Sequence, residues 1–210
     1  MTVWCGPNPL ILASQSRARQ MLLTNAGIAF ESIPAAIDER AIQEASGVTA
    51  PAEIARLLAR EKALAVARRK AGHFVVGADQ TLALGGRLFN KPTNRLEALA
   101  QLKALAGRVH ELHSAVAVAR DGNSMFDHVA VAHLTMRHLS DAEIEAYLQQ
   151  AGEAVVTSSV GAYQLEGLGV HLFEHIEGDH FTILGLPLLP LLGFLRNQSQ
   201  LAFQENRGRR

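Results

Sequence analysis

The sequence is short of several things, and each shortage narrows what the chain can be. There is a single cysteine, Cys5, among 210 residues. No internal disulfide can form, which suits a reducing compartment. Neither sign of charge is in excess, with 20 Lys plus Arg against 20 Asp plus Glu. A broad surface for a nucleic-acid polymer or an anionic membrane is therefore not implied. Any anion site is local, built from a few cations that converge in space. Long hydrophobic runs are missing too. The longest, FTILGLPLLPLLGFL, is interrupted by two prolines and two glycines and is too short and broken to span a bilayer. The opening MTVWCGPNP has neither the basic nor the apolar region of a secretion signal. The expectation is a cytoplasmic protein with no membrane partner. No G-x-G-x-x-G and no Walker glycine-lysine occurs, so the common nucleotide-binding loops are absent.

What remains is ordinary globular composition, 48% apolar and 19% charged. The length suits one domain or one domain with two lobes. No repeat or linker divides the chain, so residues 1–198 read as one domain and 199–210 as a polar, frayed tail. Ser14 or Ser16 caps a helix that ends at Gly27. IAFESI reads as a strand and PAAIDER as a loop. A helix spans Pro51 to about Ala71, and His73–Ala78 is a strand. Gly85-Gly86 signals a hairpin, and Thr93 or Asn94 opens a helix to about Ala106. Two long strands meet at Asp121-Gly122-Asn123. Ser140 and Glu143 form a capping box. Gly161–Gly169 reads as loop, VHLFEHI and FTIL as strands, and Leu186–Arg196 as a last helix. Helices and strands interleave, which predicts an α/β protein with a mixed sheet.

Several residues carry possible chemistry, each with a plain alternative. Asp79 follows an apolar strand and Gly77, where ligand groups gather in α/β sheets. An Asx turn explains it equally well. Lys62 interrupts the apolar row Ile54, Leu58, Val66, either meeting an anion in a cleft or snorkelling from its edge. ASQSRAR offers a helix N-terminus and Arg19 to a phosphate, or merely a serine cap. Lys91 in FNKPTN, Asp38-Glu39 in IDER and Glu166 in GAYQLEGLG read as solvated charges when taken singly. Together these residues supply phosphate-binding cations and metal- or water-holding carboxylates, a set suited to phosphoanhydride hydrolysis. HLFEH has the spacing of a zinc motif, but on a strand His171 and His175 stand about 13 Å apart and cannot share an ion.

The ordered segments LILASQSRAR, IDER, LAREKA, VVGADQ, NKP, GAYQLEGLG and IEGDHFTILGLPL resemble the Maf-like nucleotide pyrophosphatases, from about Leu10 to Arg196. The resemblance implies a two-lobed α/β/α catalytic domain, similar to the inosine-triphosphatase fold, with a mixed, elongated sheet and a central cleft. Members hydrolyse a nucleoside triphosphate to the monophosphate and pyrophosphate and are often homodimers. It implies that Asp79 is the catalytic carboxylate, with Lys62, Lys91 and Arg19 holding the triphosphate. Ser14 and Ser16 would contact substrate, and Glu39 with Asp79 would hold a divalent cation such as Mg²⁺, Mn²⁺ or Co²⁺. Where the family reads S-x-S-P-R-R, this chain has Arg17 for the proline and Ala18 for the first arginine, near the base-selecting position. Gln80 and Glu166 resemble the branch that acts on 7-methyl-GTP. A carboxylate accepts from guanine N1–H and its exocyclic amine, and complements the positive charge of an N7-methylated ring.

Overall fold

The computed structural model describes residues 2–202. The third strand organises the sheet. β3 (Val75–Leu84) pairs antiparallel with β5 (Val109–Arg120) from Val75 opposite Ala119 to Ala83 opposite Glu111. Its other edge is shared by two short strands. Parallel β1 (Leu10–Leu12) reaches only to Val76, and antiparallel β4 (Arg87–Phe89) begins at Leu82. Among the described residues no strand pairs with residues 77–81 on that side. The sheet is thus split at Asp79, and the split is the floor of a cleft. β2 (Phe30–Ser32) extends the sheet beyond β1, while β6 (Asn123–Met136) and β7 (Phe173–Glu177) extend it beyond β5. The order β2-β1-β3-β5-β6-β7, with β4 against β3, makes a seven-stranded open mixed sheet.

Helices cover both faces. α3 (Pro51–Ala67) starts with proline at its first position and buries small residues, Ala55, Ala59, Ala63 and Ala67, against one face. Gly77 lets it come that close. A Cβ at Gly77 would stand 2.1 Å from the Ala59 carbonyl oxygen and 2.6 Å from the Ala63 nitrogen. α1 (Arg17–Asn25) and α8 (Leu188–Asn197) cover the other face, where Leu10, Leu12 and Val76 meet Leu23, Leu191 and Leu195. The alternation of strand side chains separates the layers, since Ile11 faces α3 while Leu10 and Leu12 face away. A second lobe forms where the long strands run past this sandwich. There α4 (Arg95–Leu105) and α5 (Asp141–Ala151) pack Leu102, Leu105, Ile144 and Leu148 on Leu112, Leu134 and Met136. Each fully buried leucine contributes about 1.5–3 kcal/mol, so either lobe has a core of its own. The architecture is the expected two-lobed α/β fold with a mixed sheet and a central cleft. Among the described residues no helix is long and apolar enough to cross a membrane.

Some local expectations change. β3 does not stop at Ala78. Pairing with β5 carries it on to Leu84, which places Asp79 in mid-strand. The loop expected at IDER opens α2 (Glu39–Ser46), capped by Asp38, whose carboxylate accepts from the Ala41 N–H at 3.0 Å. A further short helix, α6 (Glu153–Val156), follows α5. FTIL lies in a single turn of helix, α7 (His180–Ile183), because Asp179 caps it through the Thr182 N–H at 3.2 Å. Residues 168–172 coil as a 3-10 turn, which takes His171 off the strand that holds His175. α3 ends at Ala67, four residues early. The first residues of the expected tail are packed rather than frayed: Leu201 is buried and bridges to Trp4. The closing RGRR lies outside the described residues.

Candidate active site

A cleft of about 1610 Å³ runs between the lobes. Ser14, Ser16, Ala18, Arg19, Glu39, Lys62, Asp79, Gln80, Lys91 and Glu166 all line it. The structure therefore gathers these ten candidate residues in one cleft, from both halves of the chain, while Asp38 is used as the α2 cap.

At its centre is a chain of charge. Lys62 Nζ lies 2.6 Å from Asp79 Oδ1 and 2.9 Å from Glu39 Oε1. Asp79 points from β3 toward α3 because it shares the face of Gly77, and Gly77 is where the α3 backbone touches the strand. Buried charges are tolerated when paired, and Lys62 and Asp79 answer one another. Burial pushes the Asp79 carboxyl above its ordinary range, against the pull of Lys62 and Arg19. A carboxylate so placed holds a proton more readily than one in water. Desolvation lowers Lys91, and the nearby charges of Arg19 and Lys62 add to that effect.

Arg19 is gripped on three sides. Its Nε donates to the Gly185 carbonyl at 2.8 Å. Its Nη1 donates to the Ala78 carbonyl at 2.8 Å, on the unpaired edge of β3, and lies 3.1 Å from Ser14 Oγ. Burial lowers the Arg19 pKa, and Asp79 and Glu39 work against this. Ser16, rather than Ser14, caps α1 through the Arg19 N–H. The first N–H groups of α1 belong to Arg17 and Ala18, which line the cleft, and such groups with a helix dipole behind them favour an anion.

Asp79 and Gln80 are neighbours in sequence but face opposite ways. The Gln80 amide nitrogen lies within hydrogen-bonding distance of Ser114 Oγ and of the Thr182 and Ile183 carbonyls. Both its hydrogens are occupied by the protein, which leaves only Oε1 for a ligand. The reading of this amide as a base contact is narrowed accordingly. Glu166 is exposed on the cleft wall of the other lobe. Sequence reasoning missed Gly185 and Gln101, which act through hydrogen bonds. Gln101 ties the Asn90 carbonyl, next to Lys91, to the Gly161 N–H at the head of the loop that carries Glu166. A polar residue on a buried helical face was the one available signal. Arg40 and Gln43 also line the cleft, from the helix that was not expected.

Among the described residues no three His, Cys, Asp or Glu side chains gather closely enough to hold a metal by themselves. Asp79 and Glu39 nevertheless converge on one point now held by the Lys62 ammonium. Two carboxylates are a hard-oxygen donor pair that suits a divalent cation completed by phosphate oxygens and water.

The Maf-like protein family model matches residues 9–198. A nucleoside triphosphate pyrophosphatase of Rhodopseudomonas palustris strain BisB18 is 67% identical over 203 residues, 97% of this chain and 100% of that one. A protein of the same name from Bradyrhizobium diazoefficiens is 65% identical, covering 96% and 100%. A 7-methyl-GTP pyrophosphatase of Rhizobium meliloti is 53% identical over 190 residues, covering 89% and 94%. With nearly its whole length matched and its motifs assembled around one cleft, this chain belongs to the Maf-like protein family.

Proposed function

We propose that the protein is a nucleoside triphosphate pyrophosphatase that converts 7-methyl-GTP, or a related modified purine nucleotide, to the monophosphate and pyrophosphate. The observation that carries this reading is the buried Lys62–Asp79 pair, extended by the half-exposed Glu39, on the floor of a cleft that also holds Arg19 and Lys91. Water attacks the α-phosphorus, the bond from that phosphorus to the bridging oxygen breaks, and pyrophosphate leaves. Asp79 orients the water and takes its proton, a role that a raised carboxyl pKa favours. Arg19, Lys62 and Lys91 neutralise charge on the phosphate oxygens as the transition state forms. Asp79 and Glu39 would hold a divalent cation, Mg²⁺, Mn²⁺ or Co²⁺, which supplies Lewis-acid polarisation of the phosphate. Ser14 and Ser16 would steady the triphosphate beside the α1 N-terminus.

Glu166 supports the purine reading, because its carboxylate can accept from the guanine edge and faces the cationic N7-methylated ring favourably. Ala18, where the family has an arginine, leaves more room near the position that the resemblance makes base-selecting. The 7-methyl-GTP pyrophosphatase of Rhizobium meliloti is a relative at 53% identity. The test is pyrophosphate release over a panel of 7-methyl-GTP, GTP, UTP and dTTP with each metal, in the native chain and in Glu166→Gln. The native chain should prefer 7-methyl-GTP, and the variant should lose that preference by roughly tenfold, the scale of one charged contact. A native preference for UTP or dTTP sinks the assignment of substrate, and release from none of them sinks the activity.

A further inference from the structure

Gln80 lies at the edge of this site, and its hydrogen bonds lead elsewhere. Its Nε2 is 2.8 Å from Ser114 Oγ, 3.1 Å from the Thr182 carbonyl and 3.0 Å from the Ile183 carbonyl. Carbonyl oxygens only accept, so the nitrogen end of the amide must face them. Ser114 adds a second donor, with its Oγ 2.6 Å from the same Thr182 carbonyl. Thr182 and Ile183 end α7, a helix of four residues. The last carbonyls of a helix have no donor within it. Gln80 and Ser114, directly opposite one another on β3 and β5, supply donors from the sheet.

Two residues past Ile183 the chain reaches Gly185, at φ 84°, a left-handed conformation that glycine adopts without strain. Its carbonyl receives Arg19 Nε at 2.8 Å. A Cβ on Gly185 would stand 3.4 Å from Arg19 Nε and Nη2 and 3.7 Å from Gln80 Cδ. Gly185 is thus in close reach of both the guanidinium and the Gln80 amide. With Nε on Gly185 and Nη1 on Ala78 and Ser14, the fork of Arg19 has its Nη2 hydrogens left over. Among the described residues Nη2 has no hydrogen-bond acceptor. Those two hydrogens are available to the oxygens of an anionic ligand, and where they aim depends on where Gly185 holds Nε.

We infer that Gln80 is a positioning residue that acts through the α7–Gly185 turn to aim Arg19 at the phosphates, and does not read the base. The inference rests on the proposed role of Arg19 as a phosphate contact. It implies that the residue after Asp79 tunes affinity for the phosphate chain common to all nucleotides. Misplacing a charged clamp by about 1 Å can cost up to roughly a hundredfold, so a side chain that never meets substrate can still govern turnover.

The experiment is calorimetric binding of inorganic tripolyphosphate with Mg²⁺, a probe with no base, to the native chain, Gln80→Met, Arg19→Ala and the double variant. Gln80→Met keeps the side-chain length and removes both donors. It should weaken tripolyphosphate binding by about tenfold. The ratio of kcat/KM for 7-methyl-GTP over UTP should stay within about twofold of the native value. The double variant should bind no more weakly than Arg19→Ala, because both changes act on one contact. Ser114→Ala is the second probe. Ser114 is buried and does not line the cleft, yet it should weaken tripolyphosphate in the same direction by a few fold. If Gln80→Met does not fold, as judged by its thermal melt, Ser114→Ala decides. Unchanged tripolyphosphate binding with an altered nucleotide ratio overturns the inference, as does a native chain that does not bind tripolyphosphate. Binding is read without turnover, so a chain that binds the probe and cleaves no nucleotide defeats the proposed activity and leaves the positioning role standing.

Discussion

Lys62 Nζ sits 2.6 Å from Asp79 Oδ1 and joins it to Glu39, so one ammonium from α3 links the strand floor of the cleft to the start of α2. Three elements, β3, α3 and α2, meet at one charge. Asp79→Asn keeps the shape and can still accept a hydrogen bond from Lys62, and Lys62 keeps Glu39 as a partner. The fold should therefore survive, with a melting temperature within a few degrees of the native chain. Pyrophosphate release should fall by roughly three orders of magnitude, since the carboxylate is both the base and half of the metal-holding pair. Full activity in this variant would remove Asp79 from the chemistry.

Lys62→Met tests the electrostatics of the same pair. Asp79 works as a base only when ionised, and its folded pKa is raised by burial, with Lys62 the largest opposing influence. Activity should thus be lost as pH falls through a value above the ordinary carboxylate range. Removing Lys62 removes the largest opposing influence, leaving Arg19 alone to lower the pKa against burial and Glu39, which raise it. The acid limb of kcat/KM should move to higher pH in Lys62→Met, in addition to a drop in its plateau. A limb that stays in place would mean that the ion pair does not set the protonation of the base.

How much of this was legible in the sequence depends on which force placed each residue. Lys62 was visible because a charge in an apolar helical row is conspicuous, and Asp79 because Gly77 and the apolar run announce a strand. The strand length was not visible. Asp79 and Gln80 look like the end of an element, yet β5 supplies partners that carry β3 to Leu84. Their opposite facing follows from the two-residue period of a strand and became clear only once the strand was known to continue. α2 was hidden because it buries none of its residues, so it leaves no apolar stripe, and its cap Asp38 belonged to a motif already read as loop. α7 was hidden because Phe181, Thr182 and Ile183 favour strands, and a single turn held by Asp179 and by the Gln80 amide overrides that preference. The cleft itself is a product of sheet topology, two short strands sharing one edge of β3, which no local pattern encodes.

Gly77→Ala should be damaging out of proportion to one methyl group. The added Cβ would meet main-chain atoms of Ala59 and Ala63, which cannot rotate away, so α3 must shift. Overpacking of this kind costs about 1–3 kcal/mol. The shift also moves Lys62, which lies between those alanines in sequence, away from Asp79. Urea unfolding should show the loss of stability and steady-state assays a fall in kcat. Gly85→Ala is the control. Its Cβ would meet nothing within 4 Å, and its φ of 55° adds only about 1 kcal/mol of backbone strain. A Gly77→Ala chain as stable and active as the control would refute the close packing of α3 on β3.

His110 should make the second lobe acid-sensitive. It is buried against Tyr163 and Phe173, its Nε2 lies 2.7 Å from the Tyr163 hydroxyl, and among the described residues its Nδ1 has no partner. Burial lowers its pKa from 6.5 to about 4. The folded state therefore binds this proton more weakly than the unfolded state does. The contribution is fully favourable above pH 6.5 and is lost as pH falls from there toward 4. Fully developed, the loss is about 3 kcal/mol, at 1.36 kcal/mol per pKa unit. His110→Phe fills the same space without titrating. It should be less stable at neutral pH by about 1–3 kcal/mol, because the Tyr163 hydroxyl loses its partner. Between pH 6.5 and 4, however, its stability should fall less steeply than that of the native chain. Denaturant unfolding of both proteins across that window isolates the term, since the other eight histidines are common to both. Parallel curves would show that His110 is solvated or partnered in the folded protein, and that the acid sensitivity of this lobe arises elsewhere.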